Sequence, residues 1–330
     1  MARPTIILTR SEIAAGFSPE AAVFAIEQAM AAYEKGEDYL PPKAIYELPI
    51  EEPGALAACI TGMTDAAGLL SMKVGQERTS NPSHGLPTTS SWVLVFEPQT
   101  GELLMICDGT LPTMLRTAAA AAVAAKHLAR QDVSVLSVIG AGQLGKQCVR
   151  QVSSVRNFEK ILLYDKNGSS ADKAARDLVS LVPIPIEVVD AQVACENADV
   201  LVTATNSREP IVMSDWVRAG THLSCMGSDM ADKIECDMSL LSRCRLIADK
   251  IEHAIQRGEV SQAVHQGVLD EKCYAGTLGQ VINGEVVGRT NATEVTMFDG
   301  VGIGIQDTTI VRTIYDQALE NSLGTSLQFS

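Results

Sequence analysis

Val138-Ile-Gly140-Ala-Gly142-Gln-Leu-Gly145 is the stretch on which the fold turns. The residues before it, Val133 to Ile139, are apolar and largely β-branched, the mark of a strand buried on both faces. The residues after it, Lys146 to Val155, suit a helix. Three glycines therefore sit in a strand-to-helix turn at the spacing of a dinucleotide fingerprint. The first permits the tight turn, the second lets backbone approach a pyrophosphate, and the third lets helix pack on strand. The helix N-terminus then turns free N–H groups towards the phosphates. Gly140, Gly142, Gln143, Leu144 and Gly145 are the cofactor-binding candidates of this turn. A second strand, Lys160 to Tyr164, ends on Asp165, whose carboxylate has two readings. It takes both hydroxyls of an adenosine ribose, which favours NAD over NADP, or it caps the following turn.

Working outward, strands and helices alternate from residue 133 to 248. Ala171–Leu181 reads as a helix, and Ile184–Val189, Asp199–Ala204, Thr221–Met226 and Arg245–Ala248 read as strands. This half is expected to be a doubly wound α/β domain of Rossmann type. The alanine-rich run Thr117–Ala129 leads into it as a helix. The N-terminal third has another character. Thr5–Leu8 reads as a strand, and Ser18-Pro-Glu20 starts a helix with Ser as N-cap and Pro in the first position. Strands follow at Ala44–Leu48, Ala57–Met63, Leu69–Val74, Ser91–Phe96 and Leu103–Cys107. Without crossover helices between them, that sheet should be antiparallel or mixed. The residues from Asn291 to Asp307 are glycine-spaced and then read as helix to Leu319, and Asn321–Ser330 as a loose polar tail.

The chain has 330 residues, of which 46% are hydrophobic, enough for two domains with a sizeable core. No apolar run is suited to a bilayer crossing, and the N-terminus lacks the long apolar segment of a secretion signal. A net charge of −14 argues against nucleic acid and anionic membranes as partners. It also means that an anionic substrate needs a local cationic pocket. The eight cysteines and five histidines are scattered without ligand-like spacing, so free thiols in a cytoplasmic protein are expected, and no metal.

Three residues stand out as chemistry. Lys73, in Ser71-Met-Lys-Val74, points either to solvent or to a substrate carboxylate or nitrogen. Arg116 opens the Thr117 helix, where a cation is disfavoured unless a substrate carboxylate, a cofactor phosphate or a salt bridge answers it. Asp229 follows a strand, where ligands of open α/β sheets bind. It serves there as a general acid/base beside an apolar nicotinamide site, or it caps a turn.

Taken together, these pieces resemble the ornithine cyclodeaminase/μ-crystallin family over nearly the whole chain. The matching stretches are Gly68-Leu-Leu-Ser-Met-Lys73-Val, Gly85-Leu-Pro-Thr88, Asp108-Gly-Thr-Leu-Pro-Thr-Met-Leu-Arg116, Gly140-Ala-Gly-Gln-Leu-Gly145, Thr203-Ala-Thr205-Asn206, Gly227-Ser-Asp229 with Lys233 and Glu235, and Phe298-Asp-Gly-Val-Gly302 with Gln306-Asp307. The resemblance implies a homodimer that pairs through a mixed α+β substrate domain, residues 1–115 with 309–330. Residues 116–308 would be the NAD-binding domain. It implies that Lys73 and Arg116 hold the substrate carboxylate and that Asp229 serves the substrate nitrogen. Thr88, Arg116, Thr205, Asn206 and Gly302 would join the glycine turn and Asp165 around NAD. The family's Pro-Pro-Arg stands here as Pro41-Pro42-Lys43, so a bidentate clamp becomes a point charge. After Asp229 the chain reads Met230-Ala-Asp-Lys where the family has Pro-Gly-Lys.

The shared chemical step of the family is hydride transfer between nicotinamide and the Cα of an amino acid, through an imine. The expectation is an NAD(H)-dependent reductase of a small 2-imino acid, with Asp229 or Lys73 keeping the nitrogen protonated. A dicarboxylate such as iminosuccinate, giving aspartate, is favoured because Arg78 and His84 lie on the loop beside Lys73. Those two either hold a second carboxylate or face solvent. The alternatives are an ammonia-releasing cyclodeaminase and a non-catalytic dinucleotide-binding protein.

Overall fold

The computed structural model describes residues 3–36, 38–50, 55–65, 67–78, 80–87 and 89–329. Its first elements are β1 (Thr5–Leu8), α1 (Arg10–Gly16), α2 (Pro19–Glu34), β2 (Asp38–Tyr39), β3 (Ala44–Glu47), β4 (Leu56–Thr64), β5 (Leu69–Glu77), β6 (Thr89–Phe96), β7 (Leu103–Asp108) and α3 (Thr110–Leu128). Then come β8 (Val135–Ile139), α4 (Gln143–Val152), β9 (Lys160–Tyr164), α5 (Gly168–Leu178), β10 (Ile186–Val188), α6 (Ala191–Asn197), β11 (Val200–Thr203) and β12 (His222–Cys225). The chain ends with α7 (Met238–Leu241), β13 (Cys244–Ala248), α8 (Ile251–Arg257), α9 (Ser261–His265), β14 (Tyr274–Thr277), α10 (Leu278–Ile282), β15 (Val295–Asp299), α11 (Gly304–Glu320) and β16 (Thr325–Leu327). Among the described residues, no helix is long and apolar enough to cross a membrane.

Two compact units result. One is Met1–Arg116 with Ile303–Ser330, and the other is Thr117–Gly302. The second division falls six residues earlier than the expected 308/309. The physical reason is close packing at the start of α11: a Cβ on Gly304 would stand 2.4 Å from the Thr61 carbonyl oxygen of β4. Only glycine lets helix and strand meet there, so α11 belongs whole to the first unit.

In that unit the sheet runs β16-β1-β7-β6-β5-β4-β2, with β3 also paired to β4. Its pairings are antiparallel except β1 with β7, which makes it a mixed sheet. The α2 start follows its sequence signals: Ser18 Oγ accepts from Ala21 N–H at 3.2 Å, with Pro19 in the first turn. The C-terminal tail departs from expectation. Thr325–Leu327 pairs antiparallel with Thr5–Ile7 and closes one edge of the sheet.

In the second unit all strands are parallel, in the order β10-β9-β8-β11-β12-β15-β13-β14. The first strand of this unit lies centrally and successive strands are added on either side, so the order reverses between β8 and β11. That is the doubly wound Rossmann topology, and ligands of such sheets bind at the reversal. β15 lies in the glycine-spaced stretch, where no strand is read from sequence. It inserts between β12 and β13, and its residues are all buried.

Helix α3 also differs. It starts at Thr110, not Thr117, because the Asp108 carboxylate accepts the Leu111 N–H at 2.9 Å and starts the helix early. Arg116 is thus well inside the helix, and the conflict with a helix N-terminus does not arise.

Candidate functional site

In the Rossmann unit the glycine turn is built as its spacing requires. Gly140 has φ +103°, and a Cβ there would lie 2.5 Å from the Ala204 carbonyl oxygen. A Cβ on Gly145 would lie 1.8 Å from the Gly140 carbonyl oxygen, so any side chain would separate helix from strand. Gly142 is the N-cap of α4, and a Cβ there would meet nothing within 4 Å. The fold packs tightly at the first and third glycines and leaves open space at the second, where a ligand needs it. Beside it lies a cavity of about 600 Å³ lined by Gly140, Gly142, Asp165, Lys166, Thr205 and Asn206, among others. Gln143 and Leu144 form the first turn of α4 above it. Asp165 serves the turn as well: its carboxylate accepts Ala141 N–H at 2.8 Å and Asn167 N–H at 2.9 Å. It therefore lines the cavity with oxygens fixed in place. A cavity at the strand-order reversal, a helix N-terminus and a fixed acid fit an adenine dinucleotide.

One anchor of this site is named in the family resemblance but given no role there. Glu235 is fully buried and holds the ends of β11 and β12 together. Its carboxylate accepts Thr205 N–H and Thr205 Oγ1 at 2.7 Å each, Thr203 Oγ1 at 2.6 Å and Gly227 N–H at 2.9 Å. Burial still pushes its carboxyl above the usual range. Behind it, Glu259 accepts the Glu235 and Cys236 N–H groups, and Asp299 accepts the Glu259 N–H and the Tyr274 hydroxyl. Burial raises Glu259 strongly, with Glu235 and Asp299 nearby, and raises Asp299 to about 7. Glu235 and Asp299 fall in the stretches that carry the family resemblance, and Glu259 has no signal beyond its apolar neighbours.

Asp229 corrects one expectation. It is more than half exposed, not held in apolar surroundings, and pairs with Lys233 Nζ at 2.7 Å. Lys233 is itself buried and reaches Asn206 Oδ1 at 3.4 Å. Gly302, expected to line the cofactor, has φ +78° and gives its N–H to Asp249. Thr88 lies outside the described residues.

The other unit holds a compact ionic cluster. Lys73 is only 7% exposed, because alternation along β5 puts it on the inward face with Leu69 and Ser71. The solvent-facing reading is thereby excluded. Its Nζ lies 2.8 Å from Asp307 Oδ1 and 3.1 Å from Thr113 Oγ1. Arg116, equally buried, donates from Nη1 to Gln306 Oε1 at 3.1 Å, and its Nε lies 3.4 Å from Asp307 Oδ1. Burial alone would raise the Asp307 carboxyl, but the charges of Lys73, Arg116 and Lys43 outweigh it and hold it below its usual value. Among the described residues, three buried atoms of the cluster find no hydrogen-bond partner: Arg116 Nε, Gln306 Nε2 and Asp307 Oδ2. Two of these donate and one accepts. Asp307 and Gln306 were not among the expected site residues; they lie more than 180 positions from their partners.

The loop beside β5 is less favourable to its expected role. Arg78 is engaged by its own surroundings, donating to the Leu56 and Glu77 carbonyls and to Gln76 Oε1. His84 ends a single 3₁₀ turn, Asn81–His84, and is exposed, with Nδ1 3.3 Å from Ser83 Oγ.

Residues 3–322 match the model of the ornithine cyclodeaminase/mu-crystallin family. The chain is 35% identical over 328 residues to alanine dehydrogenase of Archaeoglobus fulgidus, covering 98% of both chains. It is 34% identical over 313 residues to iminosuccinate reductase of Paracoccus denitrificans, covering 95% of this chain and 96% of that one. Among solved structures, an archaeal alanine dehydrogenase dimer with bound NAD superposes with a TM-score of 0.93 at 32% identity, covering 99% of this chain and all of the other.

Proposed function

Because the chain belongs to the ornithine cyclodeaminase/mu-crystallin family, we propose that it is an NAD(H)-dependent oxidoreductase that reduces a small 2-imino acid to an amino acid. The observation that carries the reading is the buried cluster of Lys73, Arg116, Gln306 and Asp307. It holds one positive charge in excess and has buried donors without partners. A carboxylate supplies both the charge and the acceptors that such a cluster lacks. In a protein of net charge −14, an anion has little other reason to enter.

The glycine turn and Asp165 would hold the dinucleotide: Gly142 by its open approach, the α4 N-terminus by its N–H groups, and Asp165 by its fixed carboxylate. Bound there, NADH supplies the hydride, and the protein supplies orientation and charge. Thr205, clamped by Glu235, fixes the far wall of the cavity. Lys73 and Arg116 orient the substrate through its carboxylate, with Lys43 adding charge nearby. Asp229, exposed and paired with Lys233, is the candidate to hold or deliver a proton at the substrate nitrogen.

The finer reading is a four-carbon dicarboxylate, iminosuccinate. Similarity to the Paracoccus denitrificans iminosuccinate reductase supports it, and His84 rather than the tethered Arg78 is the candidate for the distal carboxylate. The experiment is NADH consumption with oxaloacetate plus ammonia against pyruvate plus ammonia. The proposal expects consumption with both and higher kcat/KM on the four-carbon mixture, lost about ten- to a hundredfold in His84→Ala. Preference for pyruvate removes the dicarboxylate reading. Ammonia release from an amino acid without net NADH turnover replaces the reductase by a cyclodeaminase.

A further inference from the structure

We propose that Asp307 is the positioning residue that keeps Lys73 an ammonium ion and aims it, so that a cation rather than a neutral amine meets the substrate carboxylate. This rests on the imino-acid reading above.

Lys73 and Asp307 are among the most deeply placed charges of the first unit, with side chains 8% and 3% exposed. A lysine at that depth tends to lose its proton unless an opposite charge stands beside it. As a neutral amine it would give up most of its attraction for a carboxylate. Nζ meets Thr113 Oγ1 and Asp307 Oδ1, and further groups from several elements stand beside Asp307. From α3 come Thr113, which is uncharged, and Arg116, a second cation. The segment before β3 adds the charge of Lys43. From α11 come Gln306, uncharged, and Asp307. Of the described groups named here, Asp307 carries the negative charge, and the two further cations beside it, Arg116 and Lys43, favour loss of the Lys73 proton.

Its placement suits the task. Asp307 lies in the first turn of α11, whose dipole favours an anion there. One oxygen, Oδ1, meets both Lys73 and Arg116. The other, Oδ2, is buried and without a hydrogen-bond partner. A carboxylate that only stapled β5 to α11 would use both oxygens. Here one oxygen holds the cations, and the second has no hydrogen-bond partner among the described residues, which leaves it for a substrate N–H.

The test reads the protonation of Lys73 directly. Folded wild-type protein is labelled with trace acetic anhydride between pH 6 and 11, and acetylation of Lys73 is followed by mass spectrometry against an exposed lysine. The proposal expects a Lys73 midpoint at or above the ordinary lysine value of about 10.4. A midpoint below about 9 overturns it, with no variant needed. Asp307→Asn keeps the shape and removes the charge. It should lower the midpoint by at least about one unit and add a basic limb to kcat/KM, with the loss carried by KM. Lys73→Arg in that background, which cannot lose its proton at these pH values, should abolish the limb. An unchanged midpoint in Asp307→Asn overturns the proposal, and so does a shifted midpoint with an unchanged pH profile. A shifted midpoint in a protein that reduces no imino acid leaves the ion pair standing and overturns the function instead.

Discussion

At the residue scale, two carboxylates carry separate predictions. Asp165 lies in the dinucleotide cavity with Lys166 and Arg208 as cationic neighbours along the lining. NADH should be preferred over NADPH, since a 2′-phosphate would meet the Asp165 carboxylate. Asp165→Ser leaves the cations and removes the anion, so the ratio of kcat/KM for NADPH over NADH should rise at least about tenfold. NADH efficiency should fall too, because Ala141 N–H loses its acceptor. Equal efficiency with both cofactors in the unaltered protein would remove Asp165 from the selection. Asp229→Asn should leave NADH binding intact and lower turnover by about two to four orders of magnitude. Near-normal turnover would leave Lys73 as the proton source. Both residues stand out in sequence because each follows a strand end in an α/β pattern; the structure puts Asp165 on the cavity lining and leaves Asp229 more than half exposed. Lys73 was legible only as a pair of readings. What decides between them is Asp307, which reaches it from 234 positions away, a distance at which spacing says nothing.

At the scale of elements, the three glycines separate binding from folding. A methyl group on Gly142 meets no atom within 4 Å, whereas one on Gly145 lies 1.8 Å from a backbone oxygen. Gly142→Ala should therefore melt close to the wild-type temperature and bind NADH at least about tenfold more weakly. Gly145→Ala should lose thermal stability as well, since α4 and β8 must separate. Equal melting temperatures for the two variants would contradict this geometry, and calorimetry with NADH titration reads both quantities. The glycine turn was legible because its signals are local. The sequence places the start of α3 seven residues late because the alanine-rich run begins at Thr117, whereas the helix is started by the Asp108 carboxylate upstream. β15 was missed because Val295–Asp299 is a five-residue strand inside a glycine-spaced stretch, and its neighbours, β12 and β13, are remote in sequence order.

Over the whole molecule, buried acids set the pH response. Asp299 is raised from 3.8 to about 7, mainly by burial, and Glu235 and Glu259 are raised for the same reason. Between pH 4 and 7 the folded protein holds a proton on Asp299 that the unfolded chain has released. The stability from that proton is full at the acid end of the interval and is lost as pH rises through 7. Melting temperature should therefore fall from pH 6 to pH 8, and Asp299→Asn should flatten the fall. Repulsion within a chain of net charge −14 acts in the same direction, but salt screens it, whereas a buried acid is little screened. A slope that vanishes in 0.5 M salt and is unchanged in Asp299→Asn would assign the effect to surface repulsion alone.

The outward face of the first sheet is apolar as well. Along β5 the inward residues Leu69, Ser71 and Lys73 are buried, while Leu70, Met72 and Val74 alternate with them and are half-buried or exposed. Val74 pairs with Trp92 on β6, and Tyr46 lies on the same side of β3. These three are 40%, 49% and 60% exposed. A sheet apolar on both sides needs cover on both, and an uncovered apolar face of this kind marks an interface. We propose a second copy of the chain as the cover, the homodimer that the family resemblance implies. Light scattering should give twice the 35.1 kDa chain mass for the unaltered protein, and the single-chain mass for Val74→Glu with Trp92→Glu. The strand that presents Val74 outward presents Lys73 inward, one residue away. Splitting the dimer should therefore raise KM for the imino acid while NADH affinity, which belongs to the other unit, stays unchanged. A variant that remains dimeric places the interface elsewhere, and a monomer with unaltered KM shows that β5 holds Lys73 without help from a second chain.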